Sequence, residues 1–211
     1  MKKITSFFLL FILSTPLLAA PVDDTRSMLQ SHWARIKYQE ADASAREKQF
    51  AQLADDSDKA LQQFPDAADI MIWRAIILST YAGEKGGLGA LSLVKEAKQL
   101  LEHSIEIDPT ALQGSAYTSL GSLYYQVPGW PIGFGSDKKA REYLNKALQI
   151  NPDGIDSNFF YADFLIDQKQ KEEARQVLQH ALNAAPRPGR ELADSGRRAE
   201  IEGLLKKLQE Q

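Results

Sequence analysis

Apolar and small residues recur along this chain at the three-and-four spacing of helices, and prolines close the pattern at intervals. Four prolines follow such segments: Phe64-Pro65, Asp108-Pro109, Asn151-Pro152 and Ala185-Pro186. Five residues before each stands a small side chain: Ala60, Ser104, Ala147, Ala181. Eight before stand Ser57, Leu101, Leu144 and Leu178, and twelve before stand Leu53, Ala97, Ala140 and Ala174. These offsets are four and three apart, so each set lies on one helical face. Small side chains there let another helix come close, and the proline, lacking an N–H, stops the run.

A partner helix lies upstream in each unit. It reads Met71-x-x-Arg74-Ala75-x-x-Leu78, then Tyr117-x-x-Leu120-Gly121-x-x-Tyr124, then Asn158-x-x-Tyr161-Ala162-x-x-Leu165. The first unit is degenerate, best placed at Trp33-x-x-Ile36, with Glu40 ending the pattern. The spacing resembles the tetratricopeptide repeat, and Pro152 to Pro186 spans the 34 residues of that repeat. It predicts an all-α, tetratricopeptide-like solenoid of about four helical hairpins over residues 21–186. Residues 187–211 form a Pro/Gly linker and a capping helix. Ser195 is placed to cap that helix over about Gly196 to Leu208, with Ile201, Leu204, Leu205 and Leu208 on one face. Two units carry extra residues between their helices, ten around 82–89 and seven around 127–135. The first insertion reads as a flexible loop, and both are expected to project from one edge.

The first twenty residues have another character. Lys2 and Lys3 precede the apolar run Phe7-Phe8-Leu9-Leu10-Phe11-Ile12-Leu13, Pro16 breaks it, and Ala19-Ala20 ends it. This is the layout of a secretory signal peptide cut after Ala19 or Ala20. The remaining chain has 23 basic and 28 acidic residues, no basic run and no further spanning segment, which points away from nucleic acid and the bilayer core. No cysteine is present, so no lipid anchor, disulfide, thiol nucleophile or thiolate metal site is available. The expected location is the periplasm.

Candidate chemistry is sparse. Gly83 to Gly89 lacks the Gly-Lys-Ser/Thr ending and preceding strand of a phosphate loop. His32, His103 and His180 are scattered without ligand spacing. The sequence predicts no catalytic residue, metal or cofactor. More informative is the loop with Val127, Trp130, Ile132 and Phe134, four large apolar side chains that must fold back on the repeats or meet something else.

The segments Tyr81-Ala82-Gly83-Glu84-Lys85-Gly86-Gly87-Leu88-Gly89-Ala90-Leu91, Val127-Pro128-Gly129-Trp130-Pro131 and Asn151-Pro152-Asp153-Gly154-Ile155-Asp156 go further. They resemble exported bacterial tetratricopeptide proteins, some similar to the T component of TRAP transporters. That resemblance implies a periplasmic helical-repeat protein that associates with a substrate-binding protein or holds an apolar ligand. Known T components include trimers, so a homo-oligomer is compatible with it. The family's concave binding positions transfer to Asp69, Ile72, Ile76 and Ser79, to Ser115, Thr118, Ser122 and Tyr125, and to Asp156, Phe159, Asp163 and Ile166. None is Lys, Asn or Arg, so the carboxylate clamp of chaperone-tail binders is missing. The expected contact residues are Ile72, Ile76, Thr118, Ser122, Tyr125, Phe159 and Asp163, with Trp130 and Phe134 from the loop. The function this implies is non-catalytic binding of another exported protein, or else carriage of a small apolar ligand.

Overall fold

The computed structural model describes residues 21–210; the expected signal peptide lies outside them. Among the described residues there are nine helices and no strand. Four hairpins pair α1 (Val22–Gln39) with α2 (Ala43–Gln63), α3 (Ala68–Lys85) with α4 (Gly87–Ile107), α5 (Ala111–Gln126) with α6 (Asp137–Ile150), and α7 (Ile155–Asp167) with α8 (Lys171–Ala181). A last helix, α9 (Glu191–Gln209), completes the all-α, tetratricopeptide-like solenoid. The first helices touch in succession, α1 on α3, α3 on α5 and α5 on α7, so they form one layer.

The proline phase explains the packing. All twelve residues at the five, eight and twelve offsets are at most 5% exposed. In three units the residue before the proline returns its N–H to the small residue's carbonyl: Phe64 to Ala60, Asp108 to Ser104, Asn151 to Ala147. The opposing small residues Ala75, Gly121 and Ala162 are buried as well. Gly121 shows why: a Cβ there would lie 2.5 Å from Leu144 Cγ. The fourth unit departs from the phase, because α8 stops at Ala181 rather than beside Pro186. Arg198 of α9 donates to the carbonyls of Leu182 and Ala184, which a longer helix could not have paired, because Pro186 and Pro188 stand four residues on and lack an N–H.

Two expectations need correction. The segment 82–89 is not a flexible loop: α3 runs to Lys85 and α4 restarts at Gly87. The reversal is confined to Gly86 and Gly87, both at positive φ (64° and 62°), where glycine carries no Cβ penalty. The ten extra residues therefore lengthen helices, and only the insertion at 127–136 projects as a loop. The final helix also starts at Glu191, ahead of Ser195, and its N-cap, Arg190, makes no side-chain cap bond.

The α7–α8 turn contains a third backbone feature. Lys169 adopts φ 62°, while its N–H reaches the Ile166 carbonyl at 2.9 Å and the Gln170 N–H reaches that of Leu165 at 2.8 Å. This double bond pattern is the Schellman motif, whose left-handed residue favours glycine. Lys169→Gly is expected to stabilise the protein by about 1 kcal/mol, raising Tm by roughly 2–4 °C. Thermal unfolding of the single variant checks this; an unchanged or lower Tm would refute it.

Candidate functional site

The transferred concave positions separate into three groups. Ile72 is wholly buried and Thr118 is 6% exposed, because adjacent first helices pack side by side over them. Neither presents its side chain to a partner. Ile76 and Ser122 are half-buried. Tyr125 and Asp163 join α5 to α7 through a 2.6 Å bond from the phenol to Oδ2. Burial raises the Tyr125 pKa, and the adjacent Asp163 carboxylate raises it further, so the phenol stays protonated and donates. Two more of these positions, Asp156 and Phe159, are occupied from within the chain.

That occupant is the tail. Arg187 and Arg197 each place a guanidinium nitrogen on the Asp156 carboxylate, at 2.7 and 2.9 Å. Burial alone would raise the Asp156 pKa, but Arg197 and Arg187 outweigh it and hold the carboxyl well below the usual carboxylate range. The Arg197 guanidinium also lies 4.0 Å from the Phe159 ring centroid and 4.9 Å from that of Phe160. Arg190, just ahead of α9, lies 4.9 Å from the Trp73 centroid on α3. On α1, the Tyr38 hydroxyl donates to Glu200 at 3.3 Å. Burial is the main reason the Tyr38 phenol is pushed up, so it remains a donor. A Cβ on Gly196 would strike the Tyr38 ring, so only glycine permits this crossing. The helix expected to cover the last repeat therefore does more: it covers α7 and α8 and also reaches α1.

The loop at 127–136 divides in two. At its base Val127 is buried, and Phe134 packs edge-on against Tyr124, which stacks on Tyr143. The Gly135 N–H bonds the Pro128 carbonyl at 3.0 Å, and the Ser136 N–H bonds that of Tyr124 at 2.7 Å. At the tip, Trp130 is 90% and Ile132 64% exposed. Of the four large apolar side chains, two fold back and two project outward. An open cleft of ≈ 440 Å³ lies beneath, lined in part by Tyr125, Gln126, Ser136 and Asp137.

Residues 138–195 match the tetratricopeptide repeat family. The matched stretch runs from α6 through α8 into α9, taking in the second helix of the third unit and the whole of the fourth. Among solved structures, the MamA protein is 15% identical, with 89% of this chain and 92% of that one covered, at a TM-score of 0.45. A thermophilic tetratricopeptide repeat protein of Thermus thermophilus is 14% identical, with 88% and 100% covered, at 0.46. PilF of Pseudomonas aeruginosa is 18% identical, with 89% and 93% covered, at 0.36. No curated protein sequence matches the chain. The tetratricopeptide fold suggests a protein-interaction scaffold.

Among the described residues, no group of three His, Asp or Glu side chains converges as a metal site, and no helix is long and apolar enough to cross a membrane. Sequence reasoning did not single out Tyr38, Trp73, Phe160, Arg187, Arg190 or Arg197. The available signal was the density of arginines after Pro186, opposite an aspartate on a first helix.

Proposed function

We propose that the protein is a non-catalytic periplasmic adaptor that binds another exported protein, and that the tip of the 127–136 loop makes the contact. One observation carries this reading. Trp130 is 90% exposed on a loop whose base is pinned by Val127, Phe134 and backbone hydrogen bonds. A large aromatic side chain held out on a rigid support is the composition of an interface anchor. Export is supported by the arrangement of residues 1–20, and a partner from a solute-uptake system by the resemblance of residues 115–165 to T components. Half-buried Ser122, Tyr125 and Asp163 supply further polar surface on the first helices, and Ile76 an apolar one.

In cells, a photo-crosslinking amino acid at position 130 is expected to capture one exported protein. The same probe at exposed Gln99 of α4 should not. With the captured protein purified, Trp130→Ala should weaken binding by at least about 2 kcal/mol, roughly thirty-fold. It should change folding stability by less than about 0.5 kcal/mol. Lipid-sized adducts alone would refute the adaptor and favour the apolar-ligand carrier; self-crosslinks alone would refute both partners.

A further inference from the structure

The contacts that hold the tail are those of a recognition surface. Its three inward arginines each meet an aromatic face or a shared carboxylate: Arg187 and Arg197 on Asp156, Arg197 over Phe159 and Phe160, Arg190 over Trp73. Much of this remains in reach of water, since the side chains of Asp156, Arg187 and Glu200 are 31–33% exposed. The apolar share comes from buried Ala193, Ile201 and Leu208, with Leu192, Leu204 and Leu205 half-buried. The connection is not helical, and Asp194 and Glu191 of α9 accept from Arg187 and from the Gly189 N–H within it. Pro186, Pro188 and Gly189 (φ 73°) precede α9, and the helix begins without a side-chain cap.

We propose that the inner face formed by α1, α3 and α7 is a docking site for an arginine-bearing segment that leads into an amphipathic helix, that residues 187–209 occupy it in cis, and that a segment of like chemistry on a partner protein takes their place. Charge complementarity selects this occupant. Asp156 accepts two guanidinium groups, while Phe159, Phe160 and Trp73 offer ring faces on which a planar guanidinium stacks and a compact ammonium stacks less well. Two apolar residues on the incoming helix would replace Ile201 and Leu208 over α8. A tethered segment holds its site at a high effective concentration, so displacement requires a partner that binds well or is kept close. The proposal rests on the adaptor reading only for there being a partner in the cell. Its surface lies apart from the Trp130 tip.

The test uses the full chain with a protease sequence inserted between Ala185 and Pro186, cut after folding. The freed tail is expected to stay bound at high concentration, with Trp73 fluorescence as in the intact chain. On dilution it should leave, and a synthetic peptide of residues 186–210 should restore the signal. A peptide that keeps the non-helical stretch 186–190 and continues as an Ala-based helix, with arginines at positions 187, 190 and 197 and leucines at 201 and 208, should displace the tail. The same peptide with lysines at those three positions should bind at least about ten-fold more weakly. Phe159→Leu, which keeps an apolar side chain there, should weaken the arginine peptide several-fold and bring it closer to the lysine one. The proposal is overturned if the tail leaves only when the whole chain unfolds, or if lysine and arginine peptides bind alike. Failure of either kind leaves the position-130 crosslink unaffected, so the two readings stand or fall separately.

Discussion

Leu144→Ala is expected to destabilise the protein by about 3–5 kcal/mol, and Gly121→Ala to destabilise it by about 1–3 kcal/mol. Leu144 is fully buried on α6 and sits against Gly121 of α5, which has no side chain. Truncating it removes apolar burial and leaves a cavity that two rigid helices cannot close. Adding a methyl at Gly121 does the reverse. The new carbon would lie 2.5 Å from Leu144 Cγ and 3.1 Å from the Leu144 backbone nitrogen, so α5 and α6 must separate or Leu144 must leave its rotamer. The gain in helix propensity, about 1 kcal/mol, offsets only part of that. The two changes share one space, so they should not add. The double variant is expected to recover at least about 1 kcal/mol of the summed losses. Urea unfolding of all four chains measures the cycle. Strict additivity would show that the close approach of Gly121 to Leu144 does not govern this hairpin.

The same pair shows why the fold was legible. A proline cannot continue a helix, and a small residue at a fixed distance before it can only mean a close neighbour; both are local covalent facts. They place the four hairpins and all twelve buried positions without knowledge of anything distant in sequence. Glycine content was a poorer guide at 82–89. Gly83 and Gly89 sit within helices there, and the chain reverses at Gly86 and Gly87 alone. Composition does not distinguish glycines that turn the chain from glycines that merely sit in it.

The site was legible in outline only. Position transfer finds the inner face of each first helix, but how closely neighbouring helices press on that face depends on the packing of whole repeats. Ile72 and Thr118 are covered for that reason, while Tyr125 and Asp163, on the same kind of face, meet each other across a hydrogen bond. Phe159 is covered for a different reason, since Arg197 stands over it. Whether a C-terminal helix caps only the last repeat or also reaches the first is set by the curvature of the stack, a sum of small rotations between units. No local pattern reports that sum, and the contact of Tyr38 with Glu200, 162 positions apart, is its product.

Asp156→Ala is expected to cost about 3 kcal/mol, the lower end for breaking a buried ion pair. Arg197, with its side chain only 8% exposed, loses the carboxylate that Arg187 also uses. The loss is moderated because a third of Asp156 stays in water and each arginine keeps a second acid, Asp194 for Arg187 and Glu200 for Arg197. The pH dependence has a definite sign. The folded state holds the Asp156 pKa below its unfolded value, near 3.9, so the carboxylate's contribution is complete above that pH and is lost as pH falls toward the folded value. Wild-type Tm should therefore change little through Asp156 between pH 5 and 8 and fall below about pH 4. The gap between wild type and Asp156→Asn should be full at pH 7 and narrow steadily below pH 4, because protonation makes the two side chains alike. High salt should narrow it at neutral pH as well, through the exposed third of the carboxylate. A gap that stays constant down to pH 2 would show that Asp156 contributes through packing rather than charge. Arg197 would then be held by Glu200 and by the rings of Phe159 and Phe160.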